Sequence, residues 1–316
     1  MIEHLLIWIL AVPFLAAIVG GLLGGHYPQV TKYLSVGSSV LVAFLGIHLA
    51  QASTVSQHLS LTWFQLGQFS ISAGILYTPL AAAMVLVIGL VGLAVHLFSL
   101  RYMRDDAAQP RYWAGLSLFT CAMLGLTLAD NLAMLFAFWE MVGFGSYLLI
   151  GHYSTPVAGR AANKAFLVNR LADVFFMAGI GCMLLHTGTL SLTEIPARFI
   201  ELAPGVQVMI ASFILCGVVA KSAQLPLHIW LPDAMAGPTP VSALIHAATM
   251  VAAGVYLLCR LPVVFEPLQP VIACLGALTA VCAAIWAFGQ TDLKRVLAYS
   301  TLSQLGFMVA GFGLGS

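Results

Sequence analysis

The sequence predicts an all-α membrane protein with about ten transmembrane helices, one of which is broken near residues 206–236. Of its 316 residues, 61% are hydrophobic and 7% are charged, whereas soluble domains carry roughly 25% charged residues. A soluble fold could not cover so much apolar surface with a polar exterior, but a bilayer removes that demand. The net charge of +1 gives no reason to expect nucleic acid as a partner.

The crossings follow from apolar runs of about 20 residues, the length that spans a bilayer. The N-terminal run is predicted to be the first membrane helix and not a signal peptide, because it begins with Glu3 and His4 instead of a basic region. The longest connection, from Gln51 to about Ser72, is polar and has no Lys or Arg. The predicted crossings are residues 3–24, 33–51, 76–100, 113–129, 131–151, 164–187, 206–236, 239–260, 268–289 and 294–314.

Basic residues near the helix ends predict the orientation of the chain. The odd-numbered connections hold Lys32, Arg101, Arg104, Arg111, Arg160, Lys164, Lys294 and Arg295. The even-numbered connections hold only Arg198 and Arg260. This asymmetry predicts that the odd connections lie in the cytoplasm and that the N-terminus lies outside.

Segment 206–236 differs from the other crossings. An apolar run from Val206 to Ala220 is too short to span alone, and it is followed by the polar residues Lys221, Gln224, His228 and Asp233 and by two prolines, Pro226 and Pro232. Proline inside a helix removes a backbone donor and kinks or breaks the helix. Irregular backbone at membrane depth is tolerated only inside protein or beside a water-filled cavity, so a broken helix at an ion or substrate site is predicted.

A small set of ionisable residues lies within the predicted helices: Glu140, Arg170, Asp173, Lys221 and His246. Charges at membrane depth are costly, and they usually face the bundle interior. A buried lysine beside a carboxylate can bind a proton in one conformation and release it in another, as distance or hydration changes. Histidine titrates near physiological pH and suits a transfer step. The set therefore predicts a proton relay through Glu140, Lys221 and His246.

Structural explanations exist for several of these residues. Arg170 and Asp173, three residues apart on one helix face, could form an ion pair without a role in transport. His246 could serve packing or one hydrogen bond between helices. Asp130 is expected to cap the next helix, and Lys164 stands near a helix end, where an interfacial role is common.

The six cysteines show no metal-ligand spacing and all lie in apolar segments. A free cysteine in such surroundings behaves as a small hydrophobe. We therefore expect no disulfide framework and no zinc or iron–sulfur site in this chain.

Several longer stretches resemble one membrane-protein family. They are Lys221-Ser-Ala-Gln-Leu-Pro-Leu-His-Ile-Trp-Leu-Pro-Asp-Ala-Met through His246-Ala-Ala-Thr-Met-Val, Trp139-Glu140 with Ser146-Tyr-Leu-Leu-Ile-Gly151, Lys164-Ala-Phe with Arg170 and Asp173, Arg101-Tyr-Met-Arg104, and Thr291-Asp-Leu-Lys294-Arg-Val-Leu-Ala-Tyr-Ser-Thr-Leu-Ser-Gln304. Together they resemble the antiporter-like L subunit of respiratory complex I, from about residue 76 to the end. The same superfamily includes the Mrp-type antiporters.

The resemblance implies a proton channel built on two inverted five-helix repeats, each with a broken helix that carries a lysine. It implies three regions here: N-terminal helices over 1–112, a first antiporter-like repeat over 113–260, and the start of a second over 261–316. Glu140, Lys221 and His246 match the relay of the first repeat, with Lys164, Arg170 and Asp173 nearby and Lys294 as a further candidate.

The resemblance also implies partners and a location. Other membrane subunits, including other antiporter-like subunits, would surround the chain in the bilayer. NADH, FMN, iron–sulfur clusters and quinone are expected in partner subunits of the complex, and no cofactor is expected in this chain. The expected location is a bacterial cytoplasmic membrane.

One departure from the family concerns length. The family chain is about twice as long, and the second broken helix and a long lateral helix are not part of this sequence. The chain is thus expected to be the N-terminal half of such a subunit, or one part of a split protein. The alternatives are an Mrp-type sodium/proton antiporter subunit, a membrane subunit of an ion-coupled hydrogenase or inorganic-carbon uptake complex, and a non-conducting assembly element.

Overall fold

The computed structural model describes residues 2–51, 56–66, 69–247 and 249–315, which form a helical bundle with one antiparallel β-hairpin. The elements are α1 (Ile2–Leu23), α2 (Pro28–Gln51), β1 (Gln57–Leu66), β2 (Phe69–Tyr77), α3 (Pro79–Tyr102), α4 (Gln109–Leu128), α5 (Leu132–Ile150), α6 (Pro156–Thr187), α7 (Ile195–Ile200), α8 (Pro204–Lys221), α9 (Thr239–Ala247), α10 (Ala252–Arg260), α11 (Pro262–Phe265), α12 (Gln269–Phe288) and α13 (Leu293–Gly313). Short 3₁₀ turns cover Leu227–Trp230, Asp233–Ala236 and Glu266–Leu268.

The ten predicted crossings all fall on helices. Within the described ranges, eight helical stretches are long and apolar enough to span a bilayer: α1, α2, α3, α5, α6, α8, the stretch from α11 to α12, and α13. The other two predicted crossings are α4, a largely buried helix packed against α1 and α5, and the segment divided into α9 and α10. The predicted fold class, an all-α membrane protein, is confirmed.

Helix α6 is longer than the predicted crossing at 164–187, because it begins at Pro156. Thr155 caps it by accepting a hydrogen bond from the backbone N–H of Ala158 at 3.2 Å, and proline is favourable at a first helical position. At 1.5 Å per residue, its 32 residues extend about 48 Å. The helix therefore reaches well beyond a hydrocarbon core of about 30 Å.

Odd-numbered connections of the chain meet on one face of the bundle. A Cβ atom on Gly24, in the first connection, would lie 2.6 Å from that of Pro110 at the start of α4. Arg111 in turn donates a hydrogen bond to the carbonyl oxygen of His152, in the fifth connection. Because this face holds the eight basic residues of the odd connections, we call it the basic face.

Even-numbered connections meet on the opposite face. Ile75 and Ala129 form a β-bridge there, and so do Asn131 and Ser191. The β-hairpin lies on this face, and we call it the hairpin face. The alternation of the two faces agrees with the predicted succession of crossings.

The hairpin was not predicted. Its two strands pair antiparallel from Gln57 opposite Tyr77 to Leu66 opposite Phe69. The alternation of polar and apolar residues from His58 to Thr62 is typical of a strand, but hydropathy alone identified only a polar connection. Arg260, at the end of α10, donates a hydrogen bond at 2.8 Å to the carbonyl oxygen of Leu76 and so fixes the hairpin to the bundle.

The predicted break in segment 206–236 is confirmed. Helix α8 begins at Pro204 and is long and apolar enough to span, so the expectation that this run is too short to span alone is wrong. The helix ends at Lys221, and two 3₁₀ turns lead from there towards the basic face. Side chains satisfy backbone groups that the break frees: the indole N–H of Trp230 donates to the carbonyl of Ala220 at 3.0 Å, and the N–H of Leu225 donates to Oγ1 of Thr279 at 3.2 Å. The break is therefore a built part of the protein interior.

A second break, between α9 and α10, was not predicted. No proline or glycine lies between Leu244 and Val251 to signal it. The hydroxyl of Thr249 donates to the carbonyl of Leu244 at 2.5 Å, and the hydroxyl of Ser222 donates to that of Val251 at 2.8 Å. One contact within the break and one with the first break thus support the second.

Helices α12 and α13 approach so closely that a Cβ atom on Gly306 would lie 2.6 Å from the backbone nitrogen of Ala280. We expect Gly306→Ala to destabilise the protein by about 1–3 kcal/mol through overpacking. The matched control is Gly37→Ala in α2, where nothing lies within 4 Å of the added atom. At that position alanine, which favours the helix more than glycine does, should stabilise the protein by up to about 1 kcal/mol. Thermal unfolding in detergent measures both, and shifts of the same sign would contradict the packing.

Candidate functional site

Lys221 lies at the centre of the candidate site, as the last residue of α8 and with 1% of its surface exposed. Its Nζ atom lies 3.7 Å from Oδ2 of Asp173 on α6. Gly143 on α5 leaves room for the ammonium group, because a Cβ atom there would lie 3.0 Å from Nζ. A lysine is therefore buried where three helices meet, with a carboxylate at ion-pair distance.

Asp173 is held in place by a second contact. The indole N–H of Trp139, on α5, donates a hydrogen bond to Oδ1 of Asp173 at 2.7 Å. The Nζ atom of Lys221 lies 5.6 Å from the centre of the same indole ring, within the range of a cation–π interaction. Trp139 thus orients the carboxylate of Asp173 and contacts Lys221. Sequence reasoning did not assign this role to Trp139.

Glu140 and Arg170 form the second ion pair of the site, between α5 and α6. Arg170 also lies over the ring of Phe166, 4.7 Å from its centre. Arg170 and Asp173 do share a helix face, as their spacing predicts, but each pairs with a residue of another helix. The alternative of an Arg170–Asp173 pair is therefore wrong: Asp173 is the ionic partner of Lys221, and Glu140 is that of Arg170.

The four charged side chains line one gap in the protein. The lining also includes Gly143, Ser146, Ala165, Phe166, Asn169 and Met250. Two carboxylates and two cations balance formally, which is the condition under which charges are tolerated at membrane depth. The gap is too narrow to admit a sphere of the radius of water. The four charged side chains are therefore packed together without room for a water molecule inside the gap.

His246 lies in a different cavity. It is 9% exposed, and within the described residues neither of its ring nitrogens has a hydrogen-bond partner. Its cavity is also lined by Lys294 and by residues of α9 and α13, and it does not include Lys221. The structure thus brings Glu140, Arg170, Asp173 and Lys221 together, and it places His246 and Lys294 apart from them.

Lys164 lies on the basic face, where its Nζ atom contacts Oδ2 of Asp233 at 2.7 Å. Arg295 contacts the other carboxylate oxygen of Asp233 at 3.8 Å. Sequence reasoning noted Asp233 only as part of a longer stretch. Its place in the break, directly after Pro232, is the signal that could have identified it.

The prediction that Asp130 caps α5 is wrong. Asn131 caps the helix, because its side-chain oxygen accepts a hydrogen bond from the N–H of Met134 at 2.8 Å. Asp130 is buried and accepts hydrogen bonds from Ser72 at 2.7 Å and from the Asn131 amide at 2.6 Å. It also lies 3.3 Å from the imidazole of His58. Asp130 therefore joins the hairpin to the bundle.

Two family models match the chain. The model described as NADH:quinone oxidoreductase/Mrp antiporter, TM, matches residues 129–316. The model described as NADH-Ubiquinone oxidoreductase (complex I), chain 5 N-terminus, matches residues 63–113. The first of these covers more than half of the chain and includes the whole Lys221 site.

Curated relatives carry the name NAD(P)H-quinone oxidoreductase subunit 5, chloroplastic. The protein of Zygnema circumcarinatum is 41% identical over 331 residues, covering 98% of this chain and 47% of the relative. The protein of Anthoceros angustus is 46% identical over 267 residues, covering 81% of this chain and 36% of the relative. The chain thus spans about half the length of the curated relatives it matches, or less.

Two solved structures share the fold. The Mrp complex from Dietzia sp. DQ12-45-1b superposes with a TM-score of 0.87 at 33% identity, covering 98% of this chain and 34% of that one. The membrane-bound sulfane sulfur reductase, an archaeal respiratory membrane complex, superposes with a TM-score of 0.88 at 22% identity. The match covers 98% of this chain and 64% of the chain in that structure. The second likeness concerns the fold alone.

Proposed function

Because the chain belongs to the family of NADH:quinone oxidoreductase and Mrp antiporter membrane subunits, we propose that it is a proton-translocating subunit of a complex I-like NADH:quinone oxidoreductase. The observation that carries the proposal is the ion pair of Lys221 and Asp173 at the end of a broken helix. A buried lysine whose carboxylate partner can move apart or become hydrated is a group that loads and unloads a proton. The names of the curated relatives support the same assignment.

In this proposal the proton passes through Lys221, with Glu140 and His246 as the other relay members. Asp173 and Arg170 adjust the charge around Lys221, since each forms an ion pair within the gap. Lys164 and Lys294 act nearer the basic face, where each contacts the segment that follows the break. His246 receives or supplies the proton on the side of α13, where its own cavity lies.

The proposal includes a division of labour among subunits. Electron transfer from NADH through FMN and iron–sulfur clusters to quinone takes place in partner subunits, and this chain moves protons in response. Other antiporter-like membrane subunits are its neighbours. Within the chain, residues 1–112 support the first repeat at 113–260, and residues 261–316 begin the second.

The orientation is also proposed. The basic face lies on the cytoplasmic side of the membrane and the hairpin face lies on the outer side. This orientation places the N-terminus outside. The location proposed from the sequence is a bacterial cytoplasmic membrane. The relatives named above are chloroplastic, so a chloroplast membrane is the second possibility for the location.

A second function is an Mrp-type sodium/proton antiporter subunit. The observation that favours it is the likeness to the Mrp complex at 33% identity. The charged site described above fits either function, because both move protons. The coupled reaction, and not the site, distinguishes them.

Purification of the tagged chain from its native membrane in mild detergent tests the proposal. We expect NADH:quinone activity and redox subunits to co-purify, with a mock purification from untagged membranes as the control. After reconstitution, NADH oxidation should drive proton uptake that does not depend on sodium. Isolation with antiporter-like chains alone, together with sodium-dependent proton flux, would establish the second function instead.

A further inference from the structure

A cluster of three charged residues, Lys164, Asp233 and Arg295, lies on the basic face, and we call it the clamp. Asp233 accepts contacts from Lys164 at 2.7 Å and from Arg295 at 3.8 Å, one on each carboxylate oxygen. The three residues belong to α6, to the segment after the break, and to α13. The clamp therefore fixes three elements to one another.

The clamp residues line an open cavity of about 480 Å³, which Arg160 and Asp292 also line. Helix α13 holds the same segment at a second point, since Nζ of Lys294 donates to the carbonyl of Gly237 at 3.4 Å. The segment that contains Asp233 is thus held against α6 and α13 where it meets the basic face.

The same segment leads from the clamp to Lys221. Between Lys221 and Asp233 it carries two polar atoms without a hydrogen-bond partner in the described part of the chain, Oε1 of Gln224 and Nδ1 of His228. Gln224 is fully buried. Buried polar atoms are nearly always satisfied by protein or by ordered water. Gln224 and His228 thus place hydrogen-bonding atoms that ordered water can satisfy along the segment between the clamp and Lys221.

We propose that Asp233 is a positioning residue whose clamp closes access from the basic face to Lys221. The inference rests on the proposed function for the identity of Lys221 as the proton-exchanging group. Release of Lys164 and Arg295 would free the segment from α6 and α13 and open a path past His228 and Gln224. The clamp side chains are between 37% and 51% exposed, and exposed ion pairs are weak enough to open readily.

Labelling of a cysteine placed at Gln224 tests this access. In sealed vesicles with the basic face outward, the assembled complex with Gln224→Cys is treated with a charged maleimide, and labelling of that position is followed by peptide mass spectrometry. The parent chain, which retains its six native cysteines, gives the background. We expect Asp233→Asn to raise the labelling rate by about threefold to tenfold.

Two further variants serve as controls. Asp105→Asn removes the same charge from an exposed residue on the basic face that does not line the cavity, and it should leave the rate unchanged. Asp233→Glu keeps the carboxylate and should restore slow labelling. An unchanged rate in Asp233→Asn, or an equal rise in Asp105→Asn, would overturn the proposal. If Gln224→Cys fails to assemble, His228→Cys is the reporter and the same outcomes apply.

The labelling result does not depend on transport. Lys221 variants that pump normally would refute the proposed function, yet the effect of Asp233 on access would still be measured. Conversely, unchanged labelling would refute the clamp and leave the proposed function intact.

Discussion

Replacing Lys221 by alanine is expected to abolish proton translocation, with a loss of at least about tenfold relative to the rate of quinone reduction. The substitution removes the buried cation and leaves Asp173, which is 2% exposed, without its ionic partner. An uncompensated buried charge costs about 3–5 kcal/mol, so the single variant also threatens assembly. The measurement is NADH-driven proton uptake into proteoliposomes, divided by NADH oxidation in the same preparation.

Two companion variants separate transport from structure. Lys221→Ala combined with Asp173→Asn removes both charges, and it should restore assembly without restoring pumping. Lys221→Arg keeps the positive charge, but arginine does not release its proton in proteins. If Lys221 serves only as a structural partner of Asp173, the arginine variant will pump; if it exchanges protons, the arginine variant will assemble and fail to pump. Normal pumping in the arginine variant would therefore contradict the relay.

The crossings of the fold could be predicted because each needs about 20 apolar residues, a property of the local sequence. The break at Lys221 could be predicted for a similar reason, since Pro226 and Pro232 cannot continue a helix. The break after α9 could not, because the contact of Ser222 with Val251 that supports it joins residues distant in the chain. The hairpin was missed because a hydropathy window averages away the alternation that indicates a strand.

The members of the charged site were predicted by residue type and depth, but their pairing was not. Helical spacing places Arg170 and Asp173 on one face of α6, which says nothing about which neighbouring helix each of them contacts. That choice depends on where α5 and α8 lie against α6. Sequence reasoning therefore placed Lys221 and Glu140 in one relay without assigning Lys221 an ionic partner, whereas the structure places Asp173 beside it.

Because Asp173 is the ionic partner of Lys221, we expect Asp173→Asn to have a second large effect on pumping. Asparagine has nearly the same shape and can still accept the hydrogen bond from Trp139, so the variant removes the charge and little else. We expect a loss of pumping of about tenfold or more, because the ammonium group of Lys221 would be buried without its closest carboxylate. Proton uptake per NADH oxidised measures the effect.

Glu140→Gln is the matched comparison, because it makes the same chemical change at the other carboxylate of the gap. Glu140 pairs with Arg170, and the side chains of that pair are 19% and 41% exposed. A partly exposed pair is worth less than a buried one. We therefore expect pumping to fall in Glu140→Gln, as the loss of a relay member requires, but by less than in Asp173→Asn. A greater loss in Glu140→Gln than in Asp173→Asn would show that Glu140 is the functional partner of Lys221. The ion pair between Lys221 and Asp173 would then belong to a conformation that the protein leaves during proton transport.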